Sequence, residues 1–284
     1  MKTNQTKPPI LKYFLLSLFL SLAFILLLLS FQFKYQQNTS NPTNENPIYS
    51  SGDLKIRPGY TSYDSYIQRQ LLKTLNPKLR DIWITRDWDR KIQVFIQFFQ
   101  DLKQKQLLFN ESKALAIGAR VGQEVEALRR VSVSDSVGID LVPYPPLVIK
   151  GDFHNQPFEN ETFDFEFSNV FDHALYPHKF VGEIERTLKP RGVCVLHVAL
   201  SRRSDKYSAN DLYSVKPLVE MFKISEVVHV RKVDGFGLDT EVVFRKKTSD
   251  LIRWLLFFEL CSLNQNFVLL FLGGSLKYEF VYNI

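Results

Sequence analysis

A chain of 284 residues, 45% of them hydrophobic, is long enough for one domain with a sizeable core and additional segments. Its formal charge of +6 arises from lysines and arginines scattered among acids, without a long basic run, which argues against a nucleic-acid partner. The 2 cysteines show neither metal-ligand spacing nor a disulfide framework, so no metal is predicted.

The first predicted element is an apolar helix at residues 13–33, YFLLSLFLSLAFILLLLSFQF. This run is long enough to cross the ~30 Å apolar core of a bilayer. A cleaved signal peptide is the alternative, but its apolar part is usually about 7–15 residues, and no A-x-A-like site follows. We therefore predict a retained transmembrane signal anchor. More lysines precede the span than follow it, which leaves residues 1–12 in the cytosol and the rest in the lumen of the ER or Golgi.

Residues 34–60 are rich in Asn, Ser, Thr and Pro and poor in apolar residues, which is typical of a flexible stalk. Residues 61–112 carry helical periodicity at 63–75 and 89–107, where apolar residues recur at the spacing of one helix face. This pattern predicts a helical N-terminal extension that packs its apolar face on the domain.

Residues 113–247 alternate between strand and helix patterns, which predicts an α/β domain with a mostly parallel sheet. The predicted strands are 114–117, 136–139, 147–149, 163–168 and 193–199, and the predicted helices are 123–130, 178–188 and 210–222. Two β-rich runs around Asp234-Gly235 then predict an antiparallel hairpin. Residues 248–284 form an apolar tail, interpreted as a second membrane segment, a packed helix or, our preference, sequence from an alternative gene structure outside the domain.

The stretch ALAIGARVGQEVEAL joins a short apolar run, two glycines, Gly118 and Gly122, and the start of a helical pattern. A strand, a glycine turn and a helix N-terminus present backbone N–H groups to an anionic ligand. Asp140 ends the next predicted strand, where a carboxylate can accept both hydroxyls of a ribose. Together these residues predict a nucleotide-type cofactor site.

Residues 113–247 resemble a class I S-adenosylmethionine-dependent methyltransferase of type 11, with a Rossmann-like sheet. The resemblance lies in ALAIGARVGQE, in KGDFHNQPFENETFDFEFSNVFDHA and in FVGEIERTLKPRGVCVLHV, in the family's order. It is strongest to membrane-anchored methyltransferase-like proteins known mainly from plants. The family's cofactor is S-adenosylmethionine.

The resemblance implies a role for each matching residue. Gly118 and Gly122 flank the methionine part of the cofactor, and Asp140 holds its ribose. Asp152 meets the adenine amino group, and Phe153 covers a face of the ring. The remaining cofactor-site residue, Asn169, ends the fourth strand. A turn residue at Asp152, a core residue at Phe153 and a helix cap at Asn169 are the structural alternatives.

His173 follows the fourth strand and is the candidate base that removes a proton from the acceptor. The chain departs from the family at Ala116, where an acid is usual, and at Arg120 and Arg191, where glycines are usual. Arg120 either turns away from the cofactor or pairs its guanidinium with the cofactor's carboxylate.

The sequence thus favours a methyltransferase that acts on a small-molecule or glycan acceptor. The alternative is an inactive, membrane-tethered binding or scaffold protein that keeps the fold. An NAD-dependent oxidoreductase is disfavoured because the loop lacks G-x-G-x-x-G.

Overall fold

The computed structural model of the chain describes residues 52–200 and 206–248. The predicted transmembrane anchor, residues 34–51 of the predicted stalk and residues 249–284 of the apolar tail lie outside the described residues. Within the described ranges, no helix combines the length and apolar character needed to cross a membrane.

The strands are β1 Leu54–Ile56, β2 Ala114–Ile117, β3 Ser136–Asp140, β4 Val148–Lys150, β5 Phe163–Ser168, β6 Leu188–Val198, β7 Asn210–Leu212, β8 Ser225–Gly235 and β9 Leu238–Lys246. The helices are α1 Tyr63–Thr74, α2 Pro77–Ile84, α3 Trp88–Gln104, α4 Gln123–Arg130, α5 Pro177–Thr187 and α6 Lys216–Met221. A 3₁₀ turn covers Phe171–His173.

A seven-stranded sheet in the order β4-β3-β2-β5-β6-β9-β8 organises the domain. Six strands run parallel, and β9 alone is antiparallel to both of its neighbours. Numbered by chain position within this sheet, the order is 3-2-1-4-5-7-6. This is a doubly wound order with a hairpin added at one edge, and its direction reverses between β2 and β5, where such folds bind ligands at the carboxyl ends of the strands.

Helices cover both faces of the sheet, because its central strands are apolar on both sides. On one face, Ile92, Phe95 and Phe99 of α3 pack in a fully buried cluster with Phe165 and Phe167 of β5. On the other face, α5 and α6 pack against inward-facing residues of the same strands. Helix α3 therefore belongs to the core of the domain, which fixes the position of the N-terminal extension.

The fold class predicted from the sequence is confirmed as a mostly parallel α/β sheet with an antiparallel hairpin. The predictions for β2, β5 and α4 match the structure residue for residue. The predicted helix at 210–222 is wrong in its first part, since Asn210–Leu212 form strand β7 and α6 begins only at Lys216. Pro217 lies in the first turn of α6, a position where proline favours the start of a helix.

The prediction of a flexible stalk up to residue 60 is wrong for Leu54–Ile56. These residues pair with β7 as a second, antiparallel sheet. Leu54 is buried, and the Arg57 guanidinium lies 2.8 Å from the Asp211 carboxylate. Tertiary pairing and burial therefore order a segment that its own composition left unstructured.

Candidate functional site

A cleft lies at the carboxyl ends of the parallel strands, at the point where the strand order reverses. Its lining includes, in order across the sheet, Asp152 and Phe153 after β4, Asp140 at the end of β3, Gly118 and Arg120 after β2, Asn169 and His173 after β5, and Phe236 in the β8–β9 turn. The structure thus brings together every residue predicted for the site except Gly122.

Gly118 and Gly122 both have a left-handed backbone, with φ of +74° and +87°. A Cβ on Gly118 would lie 2.4 Å from the Val170 Cγ2, and one on Gly122 would lie 2.6 Å from the Leu147 Cβ. Gly118 is therefore required where the loop approaches the cleft. Gly122 lies at the start of α4. Leu147, in the segment before β4, leaves no room for a side chain at this position.

The two arginines at positions where the sequence resemblance implies glycine have a glycine-like backbone, with φ of +51° at Arg120 and +67° at Arg191. This conformation is strained for a residue with a side chain. The Arg120 N–H donates to the Asp140 Oδ2 at 3.0 Å, so the loop retains its hold on the acid. The substitutions have therefore preserved the path of the chain.

The Arg120 side chain lies at the N-terminus of α4. Its guanidinium stacks 5.4 Å from the Trp83 ring centroid and 4.0 Å from the Glu124 Oε1. Asn169 donates to the same Glu124 oxygen at 3.1 Å. The Arg120 Nε and the Glu124 Oε2 are both buried and have no hydrogen-bond partner within the described part of the chain. Arg120, which lines the cleft, and Glu124 thus retain one unused donor and one unused acceptor.

Asp140 is buried, and backbone N–H groups hold both of its oxygens: Arg120 donates to Oδ2 at 3.0 Å, and Val142 donates to Oδ1 at 3.2 Å. Burial raises the pKa of this carboxyl, while the two N–H groups oppose the rise. Since each carboxylate oxygen can accept more than one hydrogen bond, Asp140 can still accept hydroxyl groups from a ligand.

Asp152 is oriented by helix α1. The Tyr63 hydroxyl donates to the Asp152 Oδ2, and the backbone N–H of His154 donates to Oδ1 at 2.8 Å. The His154 Nδ1 in turn lies 2.8 Å from the Tyr63 oxygen. Burial acts to raise the pKa of Asp152, but the hydrogen bonds from His154 and Tyr63 outweigh it and hold that pKa below its usual value. The carboxylate is therefore charged and fixed in direction.

His173 lies on the 3₁₀ turn after β5 and contacts two side chains of α1. Its Nδ1 lies 3.1 Å from the Gln70 Oε1, and its Nε2 lies 3.1 Å from the Lys73 Nζ. An amide oxygen can only accept, so Nδ1 carries the proton and Nε2 accepts from the lysine. The basic lone pair of His173 is thus directed at Lys73, and use of His173 as a base requires Lys73 to move.

Ala116, at a position where the sequence resemblance implies an acid, is fully buried in a cluster with Ala119, Val125, Leu147 and Val148. A carboxylate in this apolar cluster would have little compensation for its lost hydration. The departure at Ala116 is therefore matched by its surroundings.

The sequence interpretation missed the residues that the N-terminal helices bring to the cleft, which are Tyr66, Gln70, Lys73, Thr74 and Lys91. Their signal lay in the helix pattern. Tyr66, Gln70 and Lys73 follow one another at spacings of four and three on α1, and Lys91 stands three residues after Trp88 on the buried face of α3. Polar residues on an apolar helix face mark a possible site.

One family model and several solved structures are similar to this chain. A family described as a methyltransferase domain matches residues 115–196. The 1,6-didemethyltoxoflavin-N1-methyltransferase of Burkholderia thailandensis, solved with bound 1,6-didemethyltoxoflavin and S-adenosylhomocysteine, is 13% identical, with a TM-score of 0.52 over 69% of this chain and 95% of that one. An Aquifex aeolicus SAM-dependent methyltransferase is 20% identical over 52% of this chain and 88% of that one, with a TM-score of 0.42.

No curated protein matches the chain. Among the described residues, no group of three or more His, Cys, Asp or Glu side chains could hold a metal ion. Residues 115–196 match the model of the methyltransferase domain family, and the domain that contains them has a mostly parallel, Rossmann-like α/β fold.

Proposed function

We propose that this protein transfers a methyl group from S-adenosylmethionine to a small-molecule or glycan acceptor, in the ER or Golgi lumen, with residues 13–33 as its membrane anchor. The observation that carries the proposal is the placement of Asp140. Its carboxylate stands in the cleft at the reversal of strand order, held by the N–H of the altered loop itself. If the loop no longer bound a ligand, nothing would favour keeping the hydrogen bond from Arg120 to Asp140 in a strained backbone conformation.

The residues present fit the cofactor. Asp140 can accept the ribose hydroxyls, and Asp152 can accept from the adenine amino group beside the Phe153 ring. The unpartnered Arg120 Nε and Glu124 Oε2 match the carboxylate and the ammonium at the methionine end. When bound, S-adenosylmethionine supplies a methyl group that its sulfonium already activates, so the chain needs to align an acceptor and exclude water.

The strand order separates the two halves of the cleft. Residues after β4, β3 and β2 would hold adenine, ribose and methionine in that sequence, which leaves the side of β5 and of the β8–β9 turn for the acceptor. His173 lies on that side. It can take the acceptor's proton only after the Lys73 ammonium has left its Nε2.

Calorimetry on the full-length protein tests the proposal. We expect S-adenosylhomocysteine to bind at micromolar concentration while NAD does not. In a separate incubation with methyl-labelled S-adenosylmethionine, we expect the labelled methyl group to appear in an acceptor. If no cofactor binds, the inactive scaffold becomes the better interpretation.

Replacement of Arg120 by Gly tests whether its guanidinium holds the cofactor. We expect affinity for S-adenosylhomocysteine to fall about 10-fold, since one charge-assisted pairing contributes about 1.5 kcal/mol. Binding of 5′-methylthioadenosine, which lacks the amino-acid end, should not change. Arg191→Gly is the matched control, because Arg191 also has a positive φ but is not among the residues lining the cleft. Equal losses for both ligands would contradict the assignment.

Replacement of Tyr63 by Phe tests whether α1 orients Asp152. The hydroxyl fixes the Asp152 carboxylate, so its loss should weaken S-adenosylhomocysteine binding about 5-fold. The inosine analogue of this ligand lacks the amino group and should bind both proteins equally. Tyr213→Phe, at an exposed tyrosine, is the control. A loss of the same size with the inosine analogue would mean that Tyr63 acts only on the fold.

A further inference from the structure

Trp83, in the N-terminal extension, is the buried residue of helix α2 and is 5% exposed. It lies in the last turn of this helix, where backbone carbonyl groups lack partners within the helix. Its carbonyl oxygen accepts instead from the Gln123 Nε2 at 2.9 Å, and the same nitrogen donates to the Asp87 carbonyl oxygen at 3.3 Å. Gln123 is fully buried and is the first residue of α4. The extension is thus fastened to the helix that follows the glycine loop.

The Trp83 ring lies against the arginine of that loop. The Arg120 guanidinium carbon lies over the ring, 5.4 Å from its centroid, in a cation–π contact. The Arg120 Nη2 lies 4.0 Å from the Glu124 Oε1. These contacts engage the face of the guanidinium and one terminal nitrogen. They leave the buried Nε–H of Arg120 without a hydrogen-bond partner among the described residues.

The unused Nε–H distinguishes this contact from one that only stabilises the fold. A buried N–H without a partner costs free energy, so stability alone does not favour holding Arg120 in this orientation. A ligand gains from it, because a flexible arginine loses rotamer freedom when it binds, and a restrained one has already lost that freedom. The position of Trp83, fixed by Gln123, provides this restraint.

We propose that Trp83 is a positioning residue of the cofactor site, which orients the Arg120 guanidinium so that its Nε–H is available to the carboxylate of S-adenosylmethionine. This inference rests on the function proposed above and deepens it, because it makes helix α2 part of the cofactor site. It also implies that a ligand without the amino-acid end gains nothing from Trp83.

Replacement of Trp83 by Leu in the full-length protein tests this role by calorimetry. We expect affinity for S-adenosylhomocysteine to fall about 5-fold, which corresponds to about 1 kcal/mol, while 5′-methylthioadenosine binds as before. In the Arg120→Gly protein, the same replacement should change neither affinity, because the group that Trp83 orients is absent. Trp88→Leu is the matched control, since Trp88 packs against the apolar cluster around Ala116 and is not among the residues lining the cleft.

Fluorinated tryptophan tests the same contact without a change of shape, and it serves if Trp83→Leu does not fold. Fluorine withdraws electrons from the face of the ring and so weakens its attraction for a cation. Full-length protein in which all tryptophans carry an increasing number of fluorine atoms should bind S-adenosylhomocysteine progressively more weakly, by up to about 2-fold. The trend should be absent from the Arg120→Gly protein and from binding of 5′-methylthioadenosine.

The outcomes separate this inference from the proposed function. If the loss in Trp83→Leu persists in the Arg120→Gly protein, or extends equally to 5′-methylthioadenosine, Trp83 acts only through the fold and the inference is overturned. Unchanged affinity in a folded Trp83→Leu protein overturns it as well and leaves the proposed function standing. If the unaltered protein binds no S-adenosylhomocysteine, the proposed function itself fails.

Discussion

Replacement of Asp140 by Asn should weaken S-adenosylhomocysteine binding about 100-fold, because two ribose hydroxyls lose a charged acceptor and hydrogen bonds to charged groups contribute about 1.5–3 kcal/mol each. The structure adds a second reason. Both Asp140 oxygens already accept backbone N–H groups, at 3.0 Å from Arg120 and 3.2 Å from Val142. In the Asn variant, the side-chain amide nitrogen would face one of these backbone N–H groups. Because both groups are donors, that hydrogen bond would be lost and the loop after β2 would loosen.

Calorimetry with S-adenosylhomocysteine and with its 2′-deoxy analogue separates the two effects. The Asn variant should lose less affinity for the deoxy ligand, since part of the contact is already missing. Asp135→Asn, at an exposed aspartate just before β3, should bind like the unaltered protein. If Asp140→Asn retains full affinity, the ribose lies elsewhere and the assignment of the cleft fails.

Asp140 also predicts that the affinity for the cofactor depends on pH. Burial raises the pKa of Asp140 above that of an ordinary aspartate. Only the carboxylate form can accept both hydroxyls, so cofactor affinity is present above this raised pKa and is lost as the pH falls through it. We expect calorimetric affinity to decline on acidification before ordinary surface carboxyls protonate, and this decline should be absent in Asp140→Asn.

Gly118 and Asp140, two of the predicted site residues, are brought to the cleft by local features of the sequence. Gly118 stands between a short apolar run and a helix pattern, and Asp140 ends the next run, so their meeting follows from the alternation of strands and helices alone. The antiparallel hairpin likewise follows from the two β-rich runs around Asp234-Gly235.

The residues that the sequence interpretation missed depend on long-range packing. A lysine on the apolar face of α3 was the one local sign for Lys91, and its place near the Phe236 ring in the β8–β9 turn depends on tertiary packing. Strand β1 forms only because Asn210–Leu212 lie beside it. The helix α1 and α3 residues of the cleft reach it through such tertiary packing, whereas Gly118 and Asp140 lie at or just after the ends of single strands.

Arg120 illustrates how a motif can be altered without loss of its geometry. Arg120, at a position where the sequence resemblance implies a glycine, adopts a left-handed backbone, and its N–H donates to Asp140. What the substitution changes is the charge beside the cleft, where a guanidinium now faces Glu124 at 4.0 Å.

Replacement of Gly118 by Ala should have the largest effect on the fold near the site. A residue with a side chain costs about 1–2 kcal/mol in the left-handed region, and Gly118 has a φ of +74°. Its Cβ would also lie 2.4 Å from the Val170 Cγ2, and overpacking of this kind costs about 1–3 kcal/mol. We therefore expect a destabilisation of about 2–5 kcal/mol in denaturant unfolding, together with loss of cofactor binding, because Gly118 lines the cleft.

A second substitution separates the two causes. In the Gly118→Ala protein, Val170→Ala removes the Cγ2 atom that would clash but leaves the strained φ at residue 118. It should therefore recover the free energy of unfolding lost to overpacking, but not the part lost to the left-handed backbone. Gly182→Ala on α5 is the matched control, since nothing lies within 4 Å of its added Cβ, and alanine should stabilise this helix by about 0.8 kcal/mol. Gly118→Ala could also unfold at the same denaturant concentration as the unaltered protein and still bind S-adenosylhomocysteine. That result would contradict the inference, drawn from the left-handed Gly118, that the turn after β2 brings the backbone close to the cofactor.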